Sequence, residues 1–160
     1  MLRLERINSS NVWSFVNLQV YSNQQEYVAT NAQSIIEAYT TIIEGGVALP
    51  FGIYDDNTPV GFLMIGYGAD DNKEYEVPIA KNNYELWRLM IDKKYQRKGY
   101  GKKAIELVID YVKKFPCGKA EYLYLSYEPE NEIGKRLYNS LGFKENGMKD
   151  EDEIIAVLKL

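Results

Sequence analysis

The sequence predicts an α/β domain on a mixed, mostly antiparallel sheet, and three observations carry that reading. Strand-length apolar segments interleave with segments whose apolar residues recur at helical spacing, in the order β α α β β β α β α β β. One connection, between the apolar runs 84–92 and 121–127, contains a glycine turn and a long helix, which predicts a right-handed parallel crossover. The chain has 160 residues, 46% of them hydrophobic and 26% charged. That length buries about 70% of the unfolded surface in one core, so 1–160 is read as a single domain.

Residues 2–6 alternate and read as a first strand. Asn8, Ser9, Ser10 and Asn11 offer N-caps for a helix running to about Val20, and 21–31 is a turn of helix or a loop. A second helix over 32–43 places Ile35, Ile36, Tyr39 and Ile43 on one face and stops at Gly45-Gly46. Strands 47–54 and 60–67 flank the turn Asp55-Asp56-Asn57-Thr58-Pro59. A polar connection over 68–82 leads to the central strand from Tyr84, then to a helix whose face is Ile105, Val108, Ile109, Val112 and Phe115. Pro116-Cys117-Gly118 ends it. Residues 121–127 read as an inner strand, 131–141 as a short helix closed by Gly142, and 143–148 with 154–160 as a final hairpin.

Composition excludes several chemistries. The chain has no histidine, which removes His-dependent triads and His-ligated metals, and its one cysteine, Cys117, can form neither an intrachain disulfide nor a multi-cysteine metal site. No metal site is expected. A net charge of −4 argues against nucleic acid. No apolar run approaches membrane-spanning length and the N-terminus lacks a signal-like apolar stretch, so the expectation is a cytoplasmic protein with no membrane partner.

The segment 96–103, Gln-Arg-Lys-Gly-Tyr-Gly-Lys-Lys, stands between strand and helix. The first N–H groups of a helix lack intrahelical partners, and the helix dipole adds positive charge there. Gly99 and Gly101 remove Cβ atoms that would hold an anion away, and six of the 19 basic residues (Lys93, Lys94, Arg97, Lys98, Lys102, Lys103) surround the turn. This is a phosphate cradle. It matches neither the Walker A spacing nor the dinucleotide fingerprint, since position 104 is Ala. Gln96-x-x-Gly99-x-Gly101 instead resembles the acetyl-CoA motif of the GCN5-related N-acetyltransferase (GNAT) superfamily. Residues 131–143 resemble its later signature, N-x-x-A-x-x-L-Y-x-x-x-G-F, with Gly134 where Ala is usual; that glycine weakens the helix by about 1 kcal/mol and leaves room for a close ligand. The resemblance covers nearly the whole chain and implies the GNAT-like mixed sheet flanked by helices.

The resemblance implies acetyl-CoA as co-substrate, with Gln96 among the cofactor-binding residues, its pyrophosphate on Arg97, Lys98, Gly99, Tyr100, Gly101 and Lys102, and its pantetheine arm along Leu89, Met90 and Ile91, whose backbone also supplies an oxyanion donor. Asn131 would bond the pantetheine or simply cap its helix, and Tyr138 would protonate the departing thiolate or simply fill the core beside Leu137 and Leu141. An alkylammonium, with a pKa of about 10.4, must lose a proton before it can attack. Glu85, six residues before Ile91, is the candidate base and is expected to share a strand face with Trp87, Leu89 and Ile91. A water chain is the alternative. The position where some branches carry a glutamate on the next strand is Ser126, so that route looks absent.

The acceptor is expected beside the first two helices and the 68–82 connection, where Asp55, Asp56, Asp70, Asp71, Glu74 and Glu76 would attract a cationic small-molecule amine or would merely be solvated. The 24–28 segment Gln-Gln-Glu-Tyr-Val, with the cradle, looks like the bacterial spermine/spermidine N-acetyltransferase branch. The alternatives are a peptide, protein or other small amine as acceptor, or a non-catalytic acyl-CoA-binding module, against which the intact Tyr138 and Asn131 argue. A homodimer is left open.

Overall fold

The computed structural model describes residues 1–68, 75 and 77–160. Its elements are β1 (Leu2–Arg6), α1 (Val12–Val16), α2 (Asn31–Ile43), β2 (Val47–Asp55), β3 (Thr58–Tyr67), β4 (Tyr84–Ile91), α3 (Tyr100–Val112), β5 (Tyr122–Tyr127), α4 (Glu132–Ser140), β6 (Lys144–Asp150) and β7 (Glu153–Lys159). The strands form one seven-stranded sheet in the order β1-β2-β3-β4-β5-β7-β6. All neighbours are antiparallel except β4 and β5, joined through α3. The expected mixed, mostly antiparallel α/β fold is therefore present, with β5 inside the sheet.

Two irregularities in β4 shape everything around it. In the β3–β4 ladder Met64 pairs with Arg88 and Ile65 with Leu86, so Trp87 is an extra residue in a β-bulge. A bulge reverses the in–out alternation beyond it. Leu89 and Ile91 accordingly pack with Tyr84, Leu86 and the α3 residues Ala104, Ile105 and Val108, while Trp87 and Met90 pack on the opposite face with Phe15 and Ala38. The expectation that Glu85 shares a face with Leu89 and Ile91 is corrected here: unbroken period-2 counting fails at the bulge, and only Trp87 stays with Glu85. The second irregularity is the β4–β5 ladder, which holds only Tyr84↔Leu123 and Glu85↔Tyr124. Beyond that rung the strands diverge, and the β5-facing edge of β4 has no strand partner from Leu86 to Ile91.

Each face of the sheet carries a core. On one face α3 buries Ala104, Ile105, Val108 and Val112 against Ile53, Leu63, Ile65 and Leu123. On the other, Phe15 from α1 is fully buried beside Phe62 and Met64, worth about 1.5–3 kcal/mol for a side chain of that kind. Gly52 admits it: a Cβ there would stand inside the Phe15 ring.

The N-terminal helices depart from expectation. α1 stops at Val16 rather than Val20, because the chain leaves the helix to bond the strand-end loop: Gln19 N–H donates to Asp92 Oδ2 and Gln19 O accepts from Lys93 N–H. α2, capped by the Thr30 hydroxyl, buries Asn31, Ser34 and Ala38, while Ile36, Tyr39 and Ile43 are exposed. Its small-residue side lies on β2 and its larger apolar stripe faces outward.

Candidate active site

The open wedge between β4 and β5 is bordered at the end of β4 by the turn into α3. Gly99 is the residue before the helix, with φ +78°, and Arg97 is also left-handed at φ +63°. The first bond into the helix runs from Lys103 N–H to Gly99 O at 3.2 Å. The N–H groups of Tyr100, Gly101 and Lys102 precede that ladder and are donors in waiting. A Cβ on Gly99 would meet nothing within 4 Å, so the approach to these groups is open. The geometry fits a phosphate chain. Gly101 is different: a Cβ there would face Leu137 of α4 at 3.5 Å, an ordinary packing contact, and not the open side of the turn.

The turn is held from below. Asp92, 5% exposed, accepts from Gln19 N–H and Lys94 N–H, both at 2.9 Å. Gln96 exchanges amide hydrogen bonds with Gln24 (2.8 and 3.1 Å) and donates to Ile91 O at 3.0 Å. The Tyr100 hydroxyl donates to Asp55 Oδ2 at 2.6 Å. The side chains of Gln96 and Tyr100 thus brace the turn, leaving backbone and lysines toward solvent.

At the mouth of the wedge Glu85 lines a cavity of ≈170 Å³ with Trp87, Tyr124 and the Thr41 and Glu44 end of α2. Burial pushes its carboxyl up to about 7, against the Tyr124 hydroxyl, whose hydrogen bond favours the carboxylate; the charges of Asp150 and Glu153 raise it further and Arg88 lowers it. Arg88 itself is paired with Glu37 of α2 at 2.8 Å. Tyr138, on α4, packs beside Tyr127 (5.5 Å between centroids) and Phe143 (6.2 Å). Its hydroxyl has no hydrogen-bond partner among the described residues, and burial pushes it up to about 12. Asn131 caps α4: its Oδ1 accepts from Gly134 N–H at 2.9 Å.

Residues 17–143 match the profile of the Acetyltransferase (GNAT) family. This chain belongs to that family. It is an acetyl-CoA-dependent N-acetyltransferase. It is 30% identical over 149 residues, 93% of this chain and 91% of the other, to a probable spermine N(1)-acetyltransferase of Bacillus subtilis subsp. natto (strain BEST195). With the spermine/spermidine N(1)-acetyltransferase of Bacillus subtilis (strain 168) it shares 29% over the same coverage. Among solved structures it resembles AAC(6')-Ib in complex with ribostamycin and coenzyme A, at TM-score 0.76 and 15% identity, covering 99% of this chain and 93% of that one.

Within this GNAT domain the predicted residues fall into groups. Gly99, Arg97, Lys98 and Lys102 lie at the cradle, and Leu89, Met90 and Ile91 along the partnerless edge of β4, with Met90's side chain buried toward α1. The room that Gly134 was expected to leave for a ligand is filled by Asn131, whose Nδ2 would stand 2.8 Å from a Cβ at 134. Asp55 and Asp56 are not beside Glu85: they bind the N-terminal ammonium, at 3.3 Å for Asp55, next to Tyr100. Asp70, Asp71, Glu74 and Glu76 lie outside the described residues. Sequence reasoning missed Tyr124, Asp92 and Glu153. Glu153 matters most, because its carboxylate accepts a hydrogen bond from Ser126 Oγ, at the position thought to lack an acid. The signal for it was the run Asp150-Glu151-Asp152-Glu153 in a hairpin turn. Among the described residues no helix is long and apolar enough to cross a membrane.

Proposed function

We propose that this enzyme acetylates a primary amine of a polyamine, such as spermidine or spermine, by direct attack. The observation that supports the chemistry best is Glu85, a carboxyl held near neutrality at the rung where β4 and β5 part. The acceptor class is supported by the two Bacillus relatives named for spermine.

Acetyl-CoA supplies an activated thioester. The α3 N–H groups and the basic residues 97, 98 and 102 hold its phosphates, and the free edge of β4 at 89–91 binds its arm as an added strand would bind. Glu85 takes the proton that the ammonium must lose. The C–N bond then forms as the C–S bond breaks, and backbone N–H groups of β4 meet the charge on the carbonyl oxygen. Tyr138, protonated throughout the neutral range, gives its proton to the departing sulfur; the new amide nitrogen sheds its second proton, which restores Tyr138 by way of solvent, and Glu85 releases the first to solvent. Asn131 orders the start of α4 and so places Tyr138. An acceptor screen with acetyl-CoA, read by thiol release, tests the reading. Spermidine and spermine are expected to turn over ahead of a lysine peptide and an aminoglycoside; a screen in which only the peptide or the aminoglycoside reacts replaces the polyamine.

A further inference from the structure

Ser126 follows Tyr124 by two residues on β5, so it lies on the same face as Tyr124 and Glu85, about 7 Å further along the wedge. β7 pairs with β5 through Ser126↔Ile155 and Tyr127↔Ile154, which brings Glu153 to the end of the same face. Its carboxylate turns back and accepts from Ser126 Oγ. That bond occupies Oε2. Oε1 has neither a hydrogen bond nor an ion pair among the described residues, and Glu153 is only partly buried. The charge of Glu153 is felt at Glu85, together with that of Asp150, and at Glu128, together with those of Glu130, Asp152 and Glu26; the cation Lys149 stands one residue away in the β6–β7 ladder, opposite Ile154, and makes no ion pair with Glu153. Arg88, the cation near Glu85, is already paired with Glu37.

We propose that Glu153, oriented by Ser126, binds the second ammonium of the acceptor and thereby selects a polyamine over a simple amine. The inference rests on the polyamine reading. A polyamine whose reacting nitrogen lies against Glu85 carries its next ammonium a short methylene chain away, and the step from Glu85–Tyr124 to Ser126 along the strand spans that chain. A monoamine has no charge to place there. The fixed carboxylate costs little reorganisation on binding because the serine already holds it.

The test compares kcat and KM for spermidine and for n-butylamine in the wild type, Glu153→Gln and Ser126→Ala. In the wild type spermidine is preferred. In Glu153→Gln the ratio of kcat/KM for spermidine over butylamine falls about tenfold, mainly through KM for spermidine. Ser126→Ala, a smaller change that keeps the charge, lowers the ratio less. Added salt erodes the wild-type preference and leaves that of Glu153→Gln nearly flat. An unchanged ratio in both variants overturns the assignment while leaving the polyamine reading intact, as does an equal loss with both amines. A wild type that acetylates no polyamine overturns the polyamine reading and this inference together.

Discussion

Glu85 and Tyr124 face each other across the last rung of the parallel β4–β5 ladder, and the phenol's hydrogen bond partly offsets the burial that raises the carboxyl. One residue further along, the strands have separated. The proposed base thus sits where the sheet is still closed, and the edge proposed to bind the cofactor begins where it opens.

This relation sets the pH profile. With Glu85 at about 7, the rate at subsaturating amine rises through neutrality. Tyr124→Phe removes a bond that favours the charged form, so the carboxyl titrates higher and the rising limb moves to higher pH. Glu85→Gln loses that limb and about 10²–10⁴-fold in kcat. An unmoved limb in Tyr124→Phe, measured by kcat/KM against pH, assigns the titration to another group.

Glu85 also links stability to pH. Its folded value of about 7 lies above the ordinary 4.5, so the folded state holds the proton more tightly. The stability this group contributes is full below the unfolded value and is lost as pH rises through the folded one. Glu85→Gln therefore gains on the wild type between about pH 5 and about pH 8, by no more than about 3 kcal/mol. Denaturant melts at the two pH values check this; a difference independent of pH speaks against a buried, raised carboxyl.

Tyr138→Phe removes the donor and keeps the ring packed on Tyr127 and Phe143. Calorimetry is expected to show unchanged CoA affinity, and turnover to fall about 10²–10⁴-fold. Wild-type turnover returns Tyr138 to a packing role.

Gly99 has a left-handed backbone over open space. Asn tolerates that conformation better than other residues with a side chain. Gly99→Asn should therefore fold with a melting temperature close to wild type while its side chain obstructs the cradle and weakens CoA binding; full CoA affinity moves the phosphates elsewhere.

Asn131→Ala should cost about 1 kcal/mol, the usual worth of an N-cap. Gly134→Ala, which by helix propensity alone would gain about 1 kcal/mol, should gain little, because its Cβ displaces the cap. A full gain in chemical melts shows that the Asn131 carboxamide has another place to go.

Local patterns were legible in the chain to different degrees. β4 and β5 announce themselves as apolar runs, α3 by its 105–108–112 spacing, and the cradle by glycines followed by a helix. The acyl-transfer candidates Glu85, Tyr138 and the 96–102 turn came from the resemblance to the GNAT motifs. In α2 the spacing put Ile35, Ile36, Tyr39 and Ile43 on one face without saying which side is buried: Ile36, Tyr39 and Ile43 are exposed, while Ser34 and Ala38 lie on the sheet. Propensity and period describe one element at a time, and the close approach of a helix to a strand favours its small residues over its greasiest ones.

By itself the sequence determined the order of strands and helices and the glycine turn ahead of α3, because those depend on periodicity and on backbone conformations that only a few residue types allow, and its two motifs pointed to the family by resemblance. The tertiary structure decided which side chains meet. A single bulged residue, Trp87, reversed the faces of Leu89 and Ile91. A parallel ladder of two rungs placed Tyr124 on Glu85, and the return of β7 put Glu153 on Ser126 from 27 residues away. Such contacts follow from register between strands distant in the chain, which no window of local sequence contains.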